Sequence, residues 1–274
     1  MRDSKAGLPV ALRAAIGLCW LASSAGVSAA DDALADLSLE ELANIEITSV
    51  SRRAERLSQA PASVYVITAE AIRRSGATSL PQALRLAPNL QVAQLDASQY
   101  AITARGFNNA IGNKLLVLID GRTVYTPFFS GVFWDQQDVL LADVQRIEVI
   151  SGPGATLWGA NAVNGVINVI TRSAAETEGA LVVGAGGSRE ARLGARYGGA
   201  APGDGHFRVY GLHTRRENTS DENGTSLSDG WDGQQIGFRA DWGGTTSGFT
   251  LQGDAYRGKT ELRNFPFPGF PAAI

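Results

Sequence analysis

The chain has few of the side chains that most often carry covalent or metal chemistry, with one cysteine and two histidines among 274 residues. The cysteine, Cys19, lies in an N-terminal segment that has basic residues, a short apolar run and small residues at its end. That order is typical of a secretory signal peptide, which we assign to residues 1–30. The mature chain is therefore expected to have no cysteine, which excludes disulfide bonds, thiol catalysis and cysteine-bound metals.

Long apolar runs and basic clusters are also missing. No segment after the signal peptide holds about 18 consecutive apolar residues, so no helical membrane span is expected. The net charge is −3 and no run of basic residues occurs, so nucleic acid is not an expected partner.

The glycine-rich stretch SGPGATLWGANAVNGVINVIT (151–171) is not expected to bind a nucleotide. Gly154 and Gly159 have the spacing of a P-loop, but Ala160 and Asn161 stand where its lysine and hydroxyl residue belong. The sequence also lacks a Ser/His/Asp or metal-ligand spacing. We therefore expect neither an enzyme nor a bound cofactor or metal.

Glycine separates two regions, because residues 1–178 hold 12 glycines and residues 179–274 hold 20. The first region mixes β-branched, strand-like segments with short helical segments that begin at capping residues. We predict strands at 64–68, 101–106, 115–122, 146–150 and 166–171, and helical turns at 38–41, 69–76, 79–88 and 137–144. This pattern predicts a small α+β domain.

The second region predicts five strands in which apolar residues alternate with charged or small ones. They fall near 180–187, 192–197, 206–215, 236–242 and 249–256. Either a soluble sandwich or an outer-membrane barrel has this alternation. Short glycine-rich links at 198–205 and 243–248 and a long polar link at 216–234 favour the barrel, whose turns are short on one side and long on the other.

Three motifs occur in an order that resembles TonB-dependent outer-membrane receptors. They are ARGF (104–107), LVLIDGR (116–122) and RIEVISGPGATLWGANAVNGVINVITR (146–172). The resemblance implies an α+β plug domain followed by antiparallel transmembrane β-barrel strands, with the barrel incomplete in this chain. The implied segments are a periplasmic N-terminal segment at 31–58, the plug at 59–174 and the first five barrel strands at 179–274.

The resemblance also implies a place and an activity. The protein is expected in the outer membrane of a Gram-negative bacterium, with the plug and the N-terminus on the periplasmic side. It would import a scarce extracellular small ligand, such as a metal–siderophore complex or cobalamin. Its partners would be the TonB energy-transducing complex and outer-membrane lipid. The alternative is a truncated, non-transporting plug fragment that only binds ligand or signals, because five strands leave two open edges.

The TonB box implied by the resemblance is IEITSV, which comprises Ile45, Glu46, Ile47, Thr48, Ser49 and Val50. Its β-branched residues suit an extended segment that adds to the edge of a partner's sheet. The alternative is an ordinary first strand of the plug sheet.

Clustered aromatic residues at 122–135 are candidates for ligand binding, or for packing that seats the plug, and both remain open. These residues are Tyr125, Phe128, Phe129, Phe133 and Trp134. The proline-rich segment 265–271 is a weaker ligand candidate. The residues expected to seat the plug in the barrel are Arg105, Gly106, Gly152, Gly154, Gly159, Asn161 and Gly165.

The chain departs from the family pattern at Ser151, where the family usually has an arginine that pairs with acidic residues of the barrel wall. This plug is therefore expected to be held differently. The family often has two glycines where this chain has Asn164 and Gly165. His206 and His213 are expected to be solvated or to face the lumen. Four acids of the long link either hold calcium or belong to a polar loop: Asp221, Glu222, Asp229 and Asp232.

Overall fold

The structure is a computed structural model. It describes residues 46–47, 55–59, 62–106, 108, 114–126, 131–154, 158–159, 161–244 and 247–260. Within these ranges, no helix is long and apolar enough to cross a membrane. The predicted helix at 38–41 and the candidate segment 265–271 lie outside the described residues.

The first region is an α+β domain, as predicted. In chain order its strands are β1 Glu46–Ile47, β2 Glu55–Arg56, β3 Ser63–Thr68, β4 Leu90–Gln94, β5 Tyr100–Ala104, β6 Leu115–Ile119, β7 Arg122–Thr123, β8 Val144–Ser151 and β9 Gly165–Thr171. Five of them form one mixed sheet in the order β3-β8-β9-β6-β7, in which only β6 and β9 run parallel. We call the domain that contains this sheet the plug.

The plug sheet is covered by two short helices, α1 Ala69–Ser75 and α2 Leu80–Leu84. The Thr68 hydroxyl accepts a hydrogen bond from the Ala71 amide at 3.1 Å, which caps α1. Gly76 ends that helix with φ +68°, a left-handed conformation that glycine adopts without a Cβ clash. Leu80 and Leu84 of α2 are fully buried in the same core as β6 and β9.

Several of the predicted boundaries are wrong. The helix predicted at 79–88 ends at Leu84, and the strand predicted at 101–106 ends at Ala104. The strand predicted at 115–122 ends at Ile119, because Asp120 and Gly121 both have positive φ and form a two-residue hairpin turn into β7. The helical turn predicted at 137–144 is a 3-10 turn confined to Leu141–Asp143. Strand β4, which pairs with β5 in a separate two-stranded sheet, was not predicted.

The second region forms one antiparallel sheet, which we call the wall. Its strands are β10 Gly179–Gly186, β11 Glu190–Ala201, β12 Gly205–Arg216, β13 Trp231–Gly243 and β14 Gly248–Thr260. They pair in chain order, and the sheet does not close on itself within the described residues. All five predicted strands are therefore confirmed.

The two faces of the wall differ as the alternation predicts. The outward face exposes large apolar side chains, such as Ile236 at 67% and Phe249 at 60%. The inward face carries arginines, small residues and amides, and it packs against the plug. The short links 202–204 and 244–247 join strands at one end of the wall, which we call the turn end. The long link 217–230 and a short one at 187–189 join strands at the other end, the loop end.

Candidate functional site

The plug and the wall meet through a set of buried ion pairs. The inward-facing positions of β11, β12 and β13 place arginines against aspartates of the plug. The arginines are Arg192, Arg196, Arg208 and Arg239, and the aspartates are Asp120, Asp138 and Asp143. These four pairs place the basic partner on the wall and the acidic partner on the plug, whereas Arg122 of the plug lies 3.2 Å from Asp254 of the wall.

Asp143 lies at the centre of this interface. It ends the 3-10 turn before β8 and is 3% exposed. Arg196 donates a hydrogen bond to its Oδ1 atom, and Arg208 Nε lies 3.8 Å from its Oδ2 atom. One plug carboxylate therefore faces two arginines from neighbouring wall strands.

Arg192 and Arg208 also bind backbone oxygens of the plug and of the segment that follows it. Arg192 donates to Asp138 Oδ2 at 2.5 Å and to the Val139 carbonyl at 3.0 Å. Arg208 donates to the Arg172 carbonyl at 2.5 Å. Because these guanidinium groups bind both carboxylate and carbonyl oxygens, the orientation of the plug against the wall is well defined.

Thr171, at the end of β9, joins the plug to two arginines. Its hydroxyl donates to Asp120 Oδ2 at 2.7 Å and accepts from Arg208 at 2.7 Å and Arg239 at 3.1 Å. Arg208 and Arg239 are direct cross-strand neighbours. Like charges in that arrangement repel each other, so the nearby acids Asp120 and Asp241 stabilise the pair.

A second contact lies at the loop end, where the long link folds onto the turn between β4 and β5. Asp229 is 2% exposed and accepts hydrogen bonds from the Thr219 amide and hydroxyl and from the Ala97 amide. Burial raises the pKa of Asp229, but these hydrogen bonds outweigh it and hold the pKa below its usual range. Arg216 donates to the Ala97 carbonyl and lies over the Tyr100 ring. We call this contact the clasp.

The contacts described for three of the predicted seating residues, Gly152, Gly154 and Gly165, are made within the plug. A Cβ on Gly165 would lie 2.5 Å from the Ile150 carbonyl oxygen, so only glycine fits there. A Cβ on Gly152, whose φ is +122°, would face the guanidinium of Arg105. These glycines therefore shape the plug itself, and their role in seating stays a prediction.

The aromatic candidates are only partly described, because Phe128 and Phe129 lie outside the described residues. Trp134 is 8% exposed and packs in the main plug core, which favours packing over ligand stacking for this residue. Tyr125 and Phe133 are half-buried. Their role in ligand binding stays a prediction.

Two residues of the expected TonB box are described, Glu46 and Ile47. They form β1, which pairs with Glu55 and Arg56 of β2 and lies outside the main plug sheet. The alternative of an ordinary first strand of that sheet does not apply to these two residues. Ile47 is fully buried. Ile45, Thr48, Ser49 and Val50 lie outside the described residues.

Ser151 belongs to the plug interior, where its hydroxyl accepts a hydrogen bond from Asn89 at 2.5 Å. The position therefore contributes no ion pair to the wall. Its neighbour Asn164 is not among the residues with positive φ, so the turn before β9 does not depend on a second glycine.

The histidines and the acids of the long link have separate local partners. His206 lies 2.6 Å from Glu178 and His213 lies 3.8 Å from Asp232, at different ends of β12. Asp221 accepts hydrogen bonds from two amides of its own loop. In the described part of the chain, no group of three His, Cys, Asp or Glu side chains is arranged to hold a metal ion.

Comparison with known proteins supports the same architecture. Residues 56–166 match the family model of the TonB-dependent receptor plug domain. The vitamin B12 transporter BtuB of Vibrio vulnificus is 34% identical over 143 residues, which are 51% of this chain and 23% of that protein. BtuB of Vibrio cholerae is 28% identical over 195 residues, which are 71% of this chain and 31% of that protein. The chain thus spans less than a third of the length of these relatives.

Solved structures share the fold. The pyoverdine outer membrane receptor FpvA from Pseudomonas aeruginosa PAO1 aligns with a TM-score of 0.60 at 18% identity, over 77% of this chain and 30% of that one. The siderophore receptor PirA from Acinetobacter baumannii aligns with a TM-score of 0.55 at 20% identity, over 73% of this chain and 32% of that one. At these identities the likeness concerns the fold alone.

A mixed-sheet plug packed against antiparallel strands with an apolar outward face is the architecture of the plugged-barrel class. Residues 56–166 belong to the TonB-dependent receptor plug domain family, and the chain as a whole is similar to TonB-dependent receptors in sequence and fold.

Proposed function

We propose that this protein takes part in energised uptake of a scarce ligand across the outer membrane, as the gated part of a TonB-dependent importer. The observation that carries the proposal is the set of buried ion pairs that hold the plug against the inward face of the wall. A plug fixed in this way closes the lumen, and its displacement opens it. The names of the relatives support a metal–siderophore complex or cobalamin as the ligand.

Aromatic side chains at the turn end support a position in the membrane. The rings of Tyr197 and Phe207 contact each other in a tilted arrangement on the outward face, with centroids 6.2 Å apart, and those of Trp242 and Phe249 lie 5.8 Å apart on the same sheet. Such aromatic groups mark the boundary between lipid and water in barrel proteins. We place the turn end and the N-terminal segment on the periplasmic side.

The energy input would act through the TonB box at 45–50. Among the residues that the structure describes, strand β1 is joined to β2 by two residue pairs. A partner strand that offers a longer edge would therefore displace β2 and take up the box by strand addition. Because the box precedes the plug in the chain, a pull on it is transmitted to the plug sheet.

The test is ligand accumulation in a Gram-negative host that lacks its own receptors for iron chelates and cobalamin. Radioactive iron chelates and radioactive cobalamin are offered with and without a protonophore. We expect one class to accumulate, and the protonophore to abolish accumulation while leaving binding to the cell surface. Binding without protonophore-sensitive accumulation would favour the alternative of a binding or signalling module, and no binding of either class would contradict the proposal.

A further inference from the structure

A groove lies on the outward face of the wall, between β11 and β14. Four small residues form its floor, Ala195, Gly211, Gly253 and Ala255. The strand register places the exposed Ile236 in one row with three of them, Ala195, Gly211 and Ala255. Its volume is about 850 Å³, which lies within the range of small-ligand sites. We call this depression the outer groove.

The outward side of β14 changes from apolar to basic where the outer groove ends. Arg257 and Lys259 follow Ala255 at every second residue, so their Cα atoms lie about 7 and 14 Å beyond it toward the loop end. Both side chains are exposed, and neither forms an ion pair with another described residue. The outer groove thus has two cations without a carboxylate partner at its loop end.

Two acids lie near these bases, and each has a nearer basic partner. Asp232 lies opposite both Arg215 and Lys259 in the strand register. Its Oδ2 atom is 3.8 Å from Nε2 of His213. Glu217 accepts a hydrogen bond from Arg215 at 3.1 Å. The two bases of β14 therefore have one shared acid opposite them and keep an excess of positive charge.

The order of these groups along the wall agrees with the layers of a membrane leaflet. With the turn end on the periplasmic side, the outer groove lies within the apolar band, and the bases of β14 lie one step further out, at the level of lipid phosphates. The guanidinium fork of arginine matches two oxygens of a phosphate, and the lysine ammonium adds a point charge. The acyl chain and the phosphate of a single lipid molecule would therefore contact both parts at once.

We propose that the outer groove is a binding site for one anionic lipid of the outer leaflet, with an acyl chain over its small residues and the phosphate bound by Arg257 and Lys259. This site goes beyond the proposed import function, and it depends only on the position of the wall in the membrane. A lipid bound here bridges strands β11 to β14 on the side that the plug does not touch.

The test measures lipid binding by native mass spectrometry of the purified protein in detergent. The probes are dimyristoyl phosphatidylglycerol and the diacylglycerol with the same chains, which lacks the phosphate. We expect one phosphatidylglycerol to be bound at saturation, with an affinity about tenfold or more above that of the diacylglycerol, because each base near an anionic headgroup adds attraction. Equal affinities, or several lipids bound without saturation, would indicate an ordinary lipid-facing surface and overturn the proposal. A dimer that binds no lipid would also overturn it.

Matched variants separate the groove from the charge. Gly211→Leu fills the groove, and the strand can accept it because a Cβ there would lie 3.9 Å from the nearest backbone oxygen, an ordinary contact. This variant should weaken the binding of both lipids. Arg257→Gln with Lys259→Gln should remove the preference for phosphatidylglycerol and leave diacylglycerol binding unchanged. Binding of both lipids that neither variant alters would contradict the proposed site.

Arg215→Gln is the control for the charge. Arg215 already pairs with Glu217, so its replacement should change the affinity for neither lipid. If it lowers phosphatidylglycerol binding as much as the double change on β14, diffuse charge attracts the lipid and the proposed site is wrong. One bound lipid on a protein that imports no ligand in cells would contradict the import function and leave the lipid site in place.

Discussion

Asp143 of the plug and Arg196 of the wall form an ion pair in which the side chains are 4% and 11% exposed, respectively. The second oxygen of Asp143 faces Arg208. Ser151, which stands where the family usually has a plug arginine, bonds to Asn89 inside the plug. At this point acids of the plug hold it to arginines of the wall, while an arginine of the plug, Arg122, pairs with Asp254 of the wall.

Replacing Asp143 should loosen the plug. Asp143→Ala removes the carboxylate that Arg196 and Arg208 share, and breaking a buried ion pair from one side costs about 3–5 kcal/mol. We expect a clear fall in the urea concentration at which half of the plug is unfolded. Tryptophan fluorescence measures that midpoint. Glu222→Ala, in the exposed link, is the control and should leave the midpoint in place. Equal midpoints for the two variants would show that the pair does not hold the plug.

The clasp should weaken in acid. The pKa of Asp229 is held below its usual range, so its ionised form is favoured in the folded protein. The stabilisation is thus fully present above the unfolded aspartate pKa of about 3.9 and is lost as the pH falls through the lower folded value. Hydrogen exchange at the Ala97 amide should show little protection below that range and full protection above it.

Asp229→Asn is the matched change for the clasp. It keeps the size of the side chain but removes the charge, and hydrogen bonds to a charged group contribute about 1.5–3 kcal/mol. We expect exchange at the Ala97 and Thr219 amides to speed up by about tenfold or more at neutral pH and to lose its acid dependence. Unchanged protection in this variant would exclude Asp229 as the acceptor that holds the clasp.

Gly165 should not tolerate a side chain. A Cβ there would lie 2.5 Å from the Ile150 carbonyl oxygen and 3.3 Å from Leu115, in the middle of the plug sheet. Backbone cannot move aside cheaply, so Gly165→Ala should lower plug stability by about 1–3 kcal/mol. The control is Gly187→Ala, since a Cβ on Gly187 has nothing within 4 Å. Thermal unfolding of both variants checks this prediction. An unchanged melting temperature for Gly165→Ala would mean that the sheet can widen at this position.

Sequence patterns predicted the secondary structure well where apolar and polar residues alternated over a whole strand. Alternation over the wall strands predicted both their number and the outward position of residues such as Ile236 and Phe238. The errors occur where one or two residues determine where a strand or helix begins or ends. The Asp120-Gly121 pair is a known hairpin pattern that could have been recognised, whereas LQVAQ (90–94) has too little pattern to predict β4.

The ion pairs of the site could not be predicted in the same way. The alternation shows that Arg196 and Arg208 face inward, but not which plug residue they meet. The plug residue that each arginine meets depends on the orientation of the plug relative to the wall. That orientation is set by packing between residues that are far apart in the sequence. Asp143 gave no hint in the sequence, because an acid before a strand is ordinarily a solvated turn residue.

The central claim is that residues 45–50 couple this plug to the TonB complex, and Ile47 tests it. Proline at 47 removes a backbone donor and prevents the segment from adding to a partner strand. The decisive measurement is accumulation of radioactive ligand in energised cells that produce Ile47→Pro, with Ile47→Val as the control that keeps an extended backbone. The account predicts that Ile47→Pro binds ligand at the cell surface but accumulates none, while Ile47→Val accumulates it. Normal accumulation by Ile47→Pro would contradict the account.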